Sequence, residues 1–178
     1  MSSTLKTPVS GSDRQTGYRG APVTLVEYGD YQCSHCGIAH PFIKRLLAEK
    51  EKDILFVFRH FPLQEVHPAA YIAALAAEAA GQQGKFWLMH DIIFEHQDNL
   101  NANSLLSFAE ALDLDMHQFA QDWKSETLQQ KVEADFESGI RSGVNGTPTF
   151  FLNGEKVAYD ETYESLLHAV EMVGHEHR

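Results

Sequence analysis

Two apolar runs flanking a helix-periodic segment, a long series of helical stretches, and a late Asn-Gly turn predict an α/β fold. Its order is βαβ, then helices, then ββα. That order makes a mixed sheet of about four strands, split in sequence by an all-helical insertion. The sheet-forming part is expected over residues 21–66 and 140–178, and the insertion over 67–139. Residues 1–20 are rich in Ser, Thr and Gly and read as a flexible lead-in with a short edge strand near Tyr18.

Thr24 to Tyr28 is β-favouring and apolar enough to lie inside a sheet, and Gly29-Asp30 ends it. A helix is expected from Cys33 to about Lys52, with Ile38, Phe42, Leu46 and Leu47 at helical spacing and a kink at Pro41. Ile54 to Phe58 is a second apolar strand. A strand, a helix and a strand in so short a stretch imply a right-handed crossover and parallel pairing.

Helices are expected at Pro68–Gly81, Lys85–His96, Ser104–Leu112 (capped by Asn103 or Ser104), Met116–Trp123 and Glu126–Arg141. Strands return at Thr149–Leu152. Asn153-Gly154 signals a two-residue hairpin into Glu155–Ala158, and Tyr163–Val173 forms a last amphipathic helix. The end, His175 to Arg178, reads as frayed. Phe86, Trp87, Met89 and Phe94 read as helix core, and His90, His96, His117 and His168 as surface or capping residues.

With 43% hydrophobic residues in 178, a sizeable core needs no disulfide staples. The net charge of −11 disfavours nucleic acid and anionic membrane as partners. No apolar run approaches the roughly 20 residues of a membrane span. No apolar secretion signal opens the chain, so a cytoplasmic protein is expected; a removed leader would make it periplasmic.

The only two cysteines, Cys33 and Cys36, sit three apart where a strand turns into a helix. Two thiols so placed can close a small disulfide ring and reopen it. Unpaired N–H groups at the helix mouth favour a thiolate at Cys33, the form that attacks disulfides, and a protonated His35 would add to this. Cys36, one turn on, is expected to be more buried and to act as the resolving thiol. Glu27, on the preceding strand, is expected to be buried with a raised pKa and to relay a proton to or from Cys36. The zinc alternative (Cys33, Cys36, His35 and His40) lacks a second ligand pair of the usual spacing, so neither a metal nor a cofactor is expected. No glycine-rich phosphate loop follows a strand.

The chain resembles the DsbA family of thioredoxin-fold proteins, in its compact bacterial branch. The matching pieces are Glu27 to Cys36, Arg59-His60-Phe61-Pro62-Leu63, Gly84-Lys85-Phe86-Trp87 and Gly143 to Phe151, in the family's order over residues 21–173. The resemblance implies a thioredoxin fold with a helical insertion and thiol–disulfide exchange with cysteine-containing proteins or peptides. Glutathione or a thioredoxin-type reductant would recharge the dithiol. It also implies a cis bond at Thr147–Pro148, which would leave the Thr147 backbone free to pair with an extended substrate, with Ser34 beside it. Ser34 stands where the best-known members carry proline, and that dipeptide tunes the reduction potential. Rival readings are a redox-sensing or partner-binding module without turnover, and a glutathione-linked transferase. Relatives of the transferase kind usually carry serine in place of the reactive thiol, so the two cysteines argue against it.

Overall fold

The computed structural model describes residues 3–176; His177 and Arg178 of the expected frayed end lie outside the described residues, and His175 and Glu176 belong to the last helix. Five strands form one sheet: β1 (Arg14–Gly17), β2 (Val23–Gly29), β3 (Ile54–His60), β4 (Thr149–Leu152) and β5 (Glu155–Lys156), in the order β1-β3-β2-β4-β5. β2 and β3 are parallel, and every other pair is antiparallel. Seven α-helices accompany them among the described residues: α1 (Ser34–Glu49), α2 (Ala70–Gly81), α3 (Phe86–Glu95), α4 (Ala102–Ala111), α5 (Met116–Trp123), α6 (Glu126–Arg141) and α7 (Tyr163–Glu176). This is the thioredoxin fold, with α2 to α6 between the two halves of the sheet.

The fifth strand is β1, the short edge strand expected near Tyr18, and the amino-terminal segment before it is held rather than flexible. The cause is Arg59 of β3, only 2% exposed. Its guanidinium donates to both oxygens of Asp13, to the carbonyls of Thr7 and Pro8, and to the Tyr28 hydroxyl. A buried guanidinium needs such partners, and the amino-terminal segment supplies most of them. Further along that segment, Leu5 N–H donates to Gly154 at 2.7 Å and Thr4 bridges Glu155.

Strand parity sorts the core into two faces. Val23, Leu25, Phe56, Phe58, Phe150 and Leu152 join the larger cluster with α1 and the insertion, whereas Val26, Tyr28, Val57 and Phe151 form the smaller one opposite. Glu27 shares the parity of Val23 and Leu25, so it points to the face that α1 covers.

The buried stripe of α1 is Cys36, Ala39, His40, Ile43 and Leu46; of the expected series Leu46 is buried and Phe42 and Leu47 pack against the core, whereas Ile38 is 46% exposed. The small residues Cys36 and Ala39 let the helix lie close on the sheet, and Pro41 lies within it on the exposed side. α2 is alanine-rich because it is buried almost all round. Its one carboxylate, Glu78, is satisfied by Arg14 and by His60 Nε2 at 2.8 Å. α4 is capped one turn earlier than expected, by Asn101 in a capping box with Ser104. Phe86, Met89 and Phe94 pack in the core, with Trp87 against it.

Candidate active site

β2 runs the chain up to the mouth of α1, and a loop braced by Asp30 makes the turn. The buried Asp30 carboxylate accepts from Gln32 N–H (2.7 Å), Leu63 N–H (2.9 Å) and His67 Nδ1 (2.7 Å), while its carbonyl accepts Cys33 N–H at 3.1 Å. Gln32 Oε1 in turn accepts Ala69 N–H at 2.8 Å, tying the loop to the start of α2. Gln97, in a single turn after α3, donates to the carbonyls of Tyr31 and Cys33, both at 2.8 Å. Gln97 can reach them because residue 37 is glycine: a Cβ there would meet the Gln97 amide oxygen. Asp30, Gln32 and Gln97 carry no catalytic pattern in the sequence. The only sign of them is a polar cluster around the dithiol, and their partners lie far along the chain.

Cys33 is the N-cap of α1, in extended conformation (φ −75°, ψ 122°), and its side chain makes no capping hydrogen bond. The first-turn N–H groups are thus left to the sulfur. Both cysteines are free thiols. A hydrogen bond from the Cys36 thiol, helped by Thr147 and by the N–H groups of Cys36 and His35, outweighs burial and holds the Cys33 pKa down at about 5. Cys36 is fully buried, and burial, the Cys33 contact and the Glu27 charge push its thiol well up. Asp30 N–H points at its sulfur, 3.5 Å away. The two thiols of one motif therefore have opposite character.

Glu27 is 3% exposed and one of its oxygens has no hydrogen-bond partner. Burial first, and the Cys33 charge second, raise its pKa to about 8. Beside it, burial and the Glu27 charge lift the Tyr159 phenol to about 12, and its hydroxyl is also unpartnered. Tyr159 belongs to no sequence motif, and only the fold brings it here.

Thr147 and Pro148 face the helix mouth from the loop before β4. The Thr147–Pro148 peptide is cis, and Cys33 Sγ lies 3.5 Å from the Thr147 carbonyl oxygen. Thr149 Oγ1 closes that loop onto the Gly146 carbonyl at 2.7 Å. Ser34 is exposed at the first position of α1.

The His35 ring is exposed and its Nδ1 pairs with Glu161, while its main-chain N–H is directed at Cys33. His90 corrects the expectation of a surface or capping residue. It is 4% exposed, with Nδ1 at 2.7 Å from the Tyr31 hydroxyl. His96, His117 and His168 are exposed.

A thioredoxin fold with a dithiol at a helix mouth, facing a cis-proline loop, defines a protein of the thioredoxin class. The family model described as Thioredoxin matches residues 10–172, and the chain belongs to that family. The oxidised BdbD structure from Bacillus subtilis is similar, with a TM-score of 0.84, 22% identity, and 97% and 98% of the two chains covered. A thioredoxin-like oxidoreductase from Silicibacter pomeroyi has a TM-score of 0.83 at 26% identity, covering 92% of each chain. Among curated proteins, the chain is 45% identical over 158 residues to Na(+)/H(+) antiporter NhaA 1 of Salinispora arenicola, covering 89% of this chain and 24% of that protein. It is 40% identical over 161 residues to NhaA 1 of Mycolicibacterium vanbaalenii, covering 89% and 26%. The chain thus spans about a quarter of the length of the curated relatives it matches. No helix among the described residues is long and apolar enough to cross a membrane.

Proposed function

We propose that this chain is a thiol–disulfide oxidoreductase of DsbA type, working through the Cys33–Cys36 pair. One observation carries the reading: Cys33 caps the mouth of α1 beside the cis-proline loop while Cys36 is fully buried behind it, an arrangement that lowers the first thiol's pKa to about 5 and raises the second's. The Cys33 thiolate attacks one sulfur of a substrate disulfide and expels the other as a thiolate. The mixed disulfide is then resolved by Cys36. It gives its proton to the ionised fraction of Glu27, attacks Cys33 Sγ and releases the second substrate sulfur as a thiolate. The sum is one dithiol oxidised and one disulfide reduced, and the cycle runs backwards when the oxidised protein meets a substrate dithiol.

A lowered Cys33 pKa stabilises the reduced form and so makes the disulfide more oxidising. The Thr147 backbone offers an extended peptide a strand-like edge beside Cys33, with Ser34 on the other side. Cysteine-containing proteins or peptides fit such an open site. A compartment rich in reduced glutathione, or in a thioredoxin-type reductant, would drive the cycle towards reduction, and an oxidising one towards disulfide formation. Incubating the protein with a two-cysteine peptide and glutathione disulfide tests the reading. Many peptides oxidised per protein, with none for Cys33→Ser, support it; a single stoichiometric exchange refutes it.

The antiporter relatives favour a second reading. In chains of that kind this domain would be a redox module whose disulfide alters a partner surface without turnover. The same assay separates the two.

A further inference from the structure

We propose that His40 of α1 with His90 and Asp91 of α3 forms a site for a divalent transition metal, clamping the helical insertion to the helix that carries the dithiol. One ligand-capable atom from each of the three lies within 4.8 Å of the others, and no cysteine belongs to the group. His40 Nε2 and Asp91 Oδ1 are 3.5 Å apart. Two ligands bound tetrahedrally at about 2.1 Å from one ion sit about 3.4 Å apart, so this pair already has the required spacing.

The His40 side chain is 9% exposed, and its Nε2 has no hydrogen-bond partner. The nitrogen stands 3.5 Å from Asp91 Oδ1 with no hydrogen bond between them, and an ion held by both would satisfy it. His90 is held from behind: its Nδ1 lies 2.7 Å from the Tyr31 hydroxyl. With Nδ1–H donating to that oxygen, Nε2 keeps its lone pair, the arrangement typical of a metal-bound histidine. A cavity of about 90 Å³ adjoins the three residues, bounded also by Lys44 and Trp87.

Asp91 Oδ2 accepts from the half-exposed Lys44 ammonium at 2.7 Å, leaving Oδ1 facing His40. Lys44 therefore neutralises the carboxylate when no ion is bound, and competes with one. Two imidazole nitrogens and one carboxylate oxygen suit zinc, cobalt or nickel better than magnesium or calcium.

Calorimetric titration of the disulfide form with zinc or cobalt chloride tests this, because the oxidised sulfurs cannot ligate. Wild type should bind one ion per chain, and zinc should raise its Tm. His40→Gln and Asp91→Asn should each weaken binding by about tenfold or more, whereas Lys44→Gln should strengthen it. If His40→Gln fails to fold, the two variants on the accessible side, Asp91→Asn and Lys44→Gln, decide the matter. Absence of binding by wild type, affinity unchanged in Asp91→Asn, or Lys44→Gln binding no tighter than wild type would each overturn the site.

Discussion

Cys33 Sγ lies 3.5 Å from the carbonyl oxygen of Thr147, 114 positions further along the chain. A substrate strand paired along Thr147 would therefore carry its own cysteine onto Cys33, with Cys36 buried behind. Capture and release fall to different sulfurs. Cys36→Ser should accumulate covalent complexes with a disulfide-bearing peptide, visible by mass spectrometry without reductant, and Cys33→Ser should not. Equal trapping by the two variants would contradict the assignment.

Glu27 makes the disulfide form pH-dependent. Its folded pKa, about 8, stands above the ordinary 4.5, chiefly through burial. Between those values the folded state holds a proton that the unfolded state releases. The stabilisation is complete below about 4.5 and is lost as pH rises through about 8. Cys33 has the opposite sign in the reduced protein, and the lowered pKa values of His40 and His90 make stability rise with pH towards 6.5 in either form. The Glu27 effect is therefore read in the disulfide form, where burial alone raises its pKa, as the difference from Glu27→Gln: relative to that variant, the urea-unfolding free energy should fall by up to roughly 1.4 kcal/mol per pH unit above 4.5. Glu27→Gln should flatten the fall and slow resolution by Cys36. An unchanged slope would remove Glu27 from the account.

Arg59 fastens the amino-terminal segment to the sheet through Asp13, with Nε to Oδ1 at 2.8 Å. Arg59→Met should cost about 3–5 kcal/mol in urea unfolding, because the Asp13 carboxylate loses its partner. It should also speed amide exchange at Gln15 and Thr16 in β1. A cost below about 1 kcal/mol would mean that the segment is held by other contacts.

The parts of the fold legible in the sequence are those set by local pattern. The apolar runs of β2 and β3 and the periodic helices lie where chain pattern puts them. Asn153 and Gly154 have the positive φ values, 48° and 88°, that an Asn-Gly hairpin turn requires. What escaped the pattern depends on partners distant in sequence. The short edge strand near Tyr18 was expected, but not that the segment before it is fixed; its anchor, Arg59, lies 46 positions from Asp13. The cap of α4 falls on Asn101 because that residue, among several polar neighbours, is the extended one (φ −156°, ψ 175°). His90 is polar by composition yet buried, since its hydroxyl partner Tyr31 comes from the active-site loop.

The dithiol was legible because its chemistry lies within four residues, and Glu27 because strand parity carries it to the α1 face. The braces of the site were not: Asp30 looks like a strand breaker and Gln97 like a loop residue until the fold brings their partners together. The contact of the His35 ring with Glu161, 126 positions on, was equally out of sight.

The central claim is that Cys33 is ionised at neutral pH and Cys36 is not. The pH profile of alkylation of the reduced protein, mapped to each cysteine by mass spectrometry, tests it most directly. Modification should fall on Cys33 alone, with half-maximal rate at about pH 5. A midpoint near the ordinary thiol value of 9.0, or Cys36 reacting first, would contradict the account.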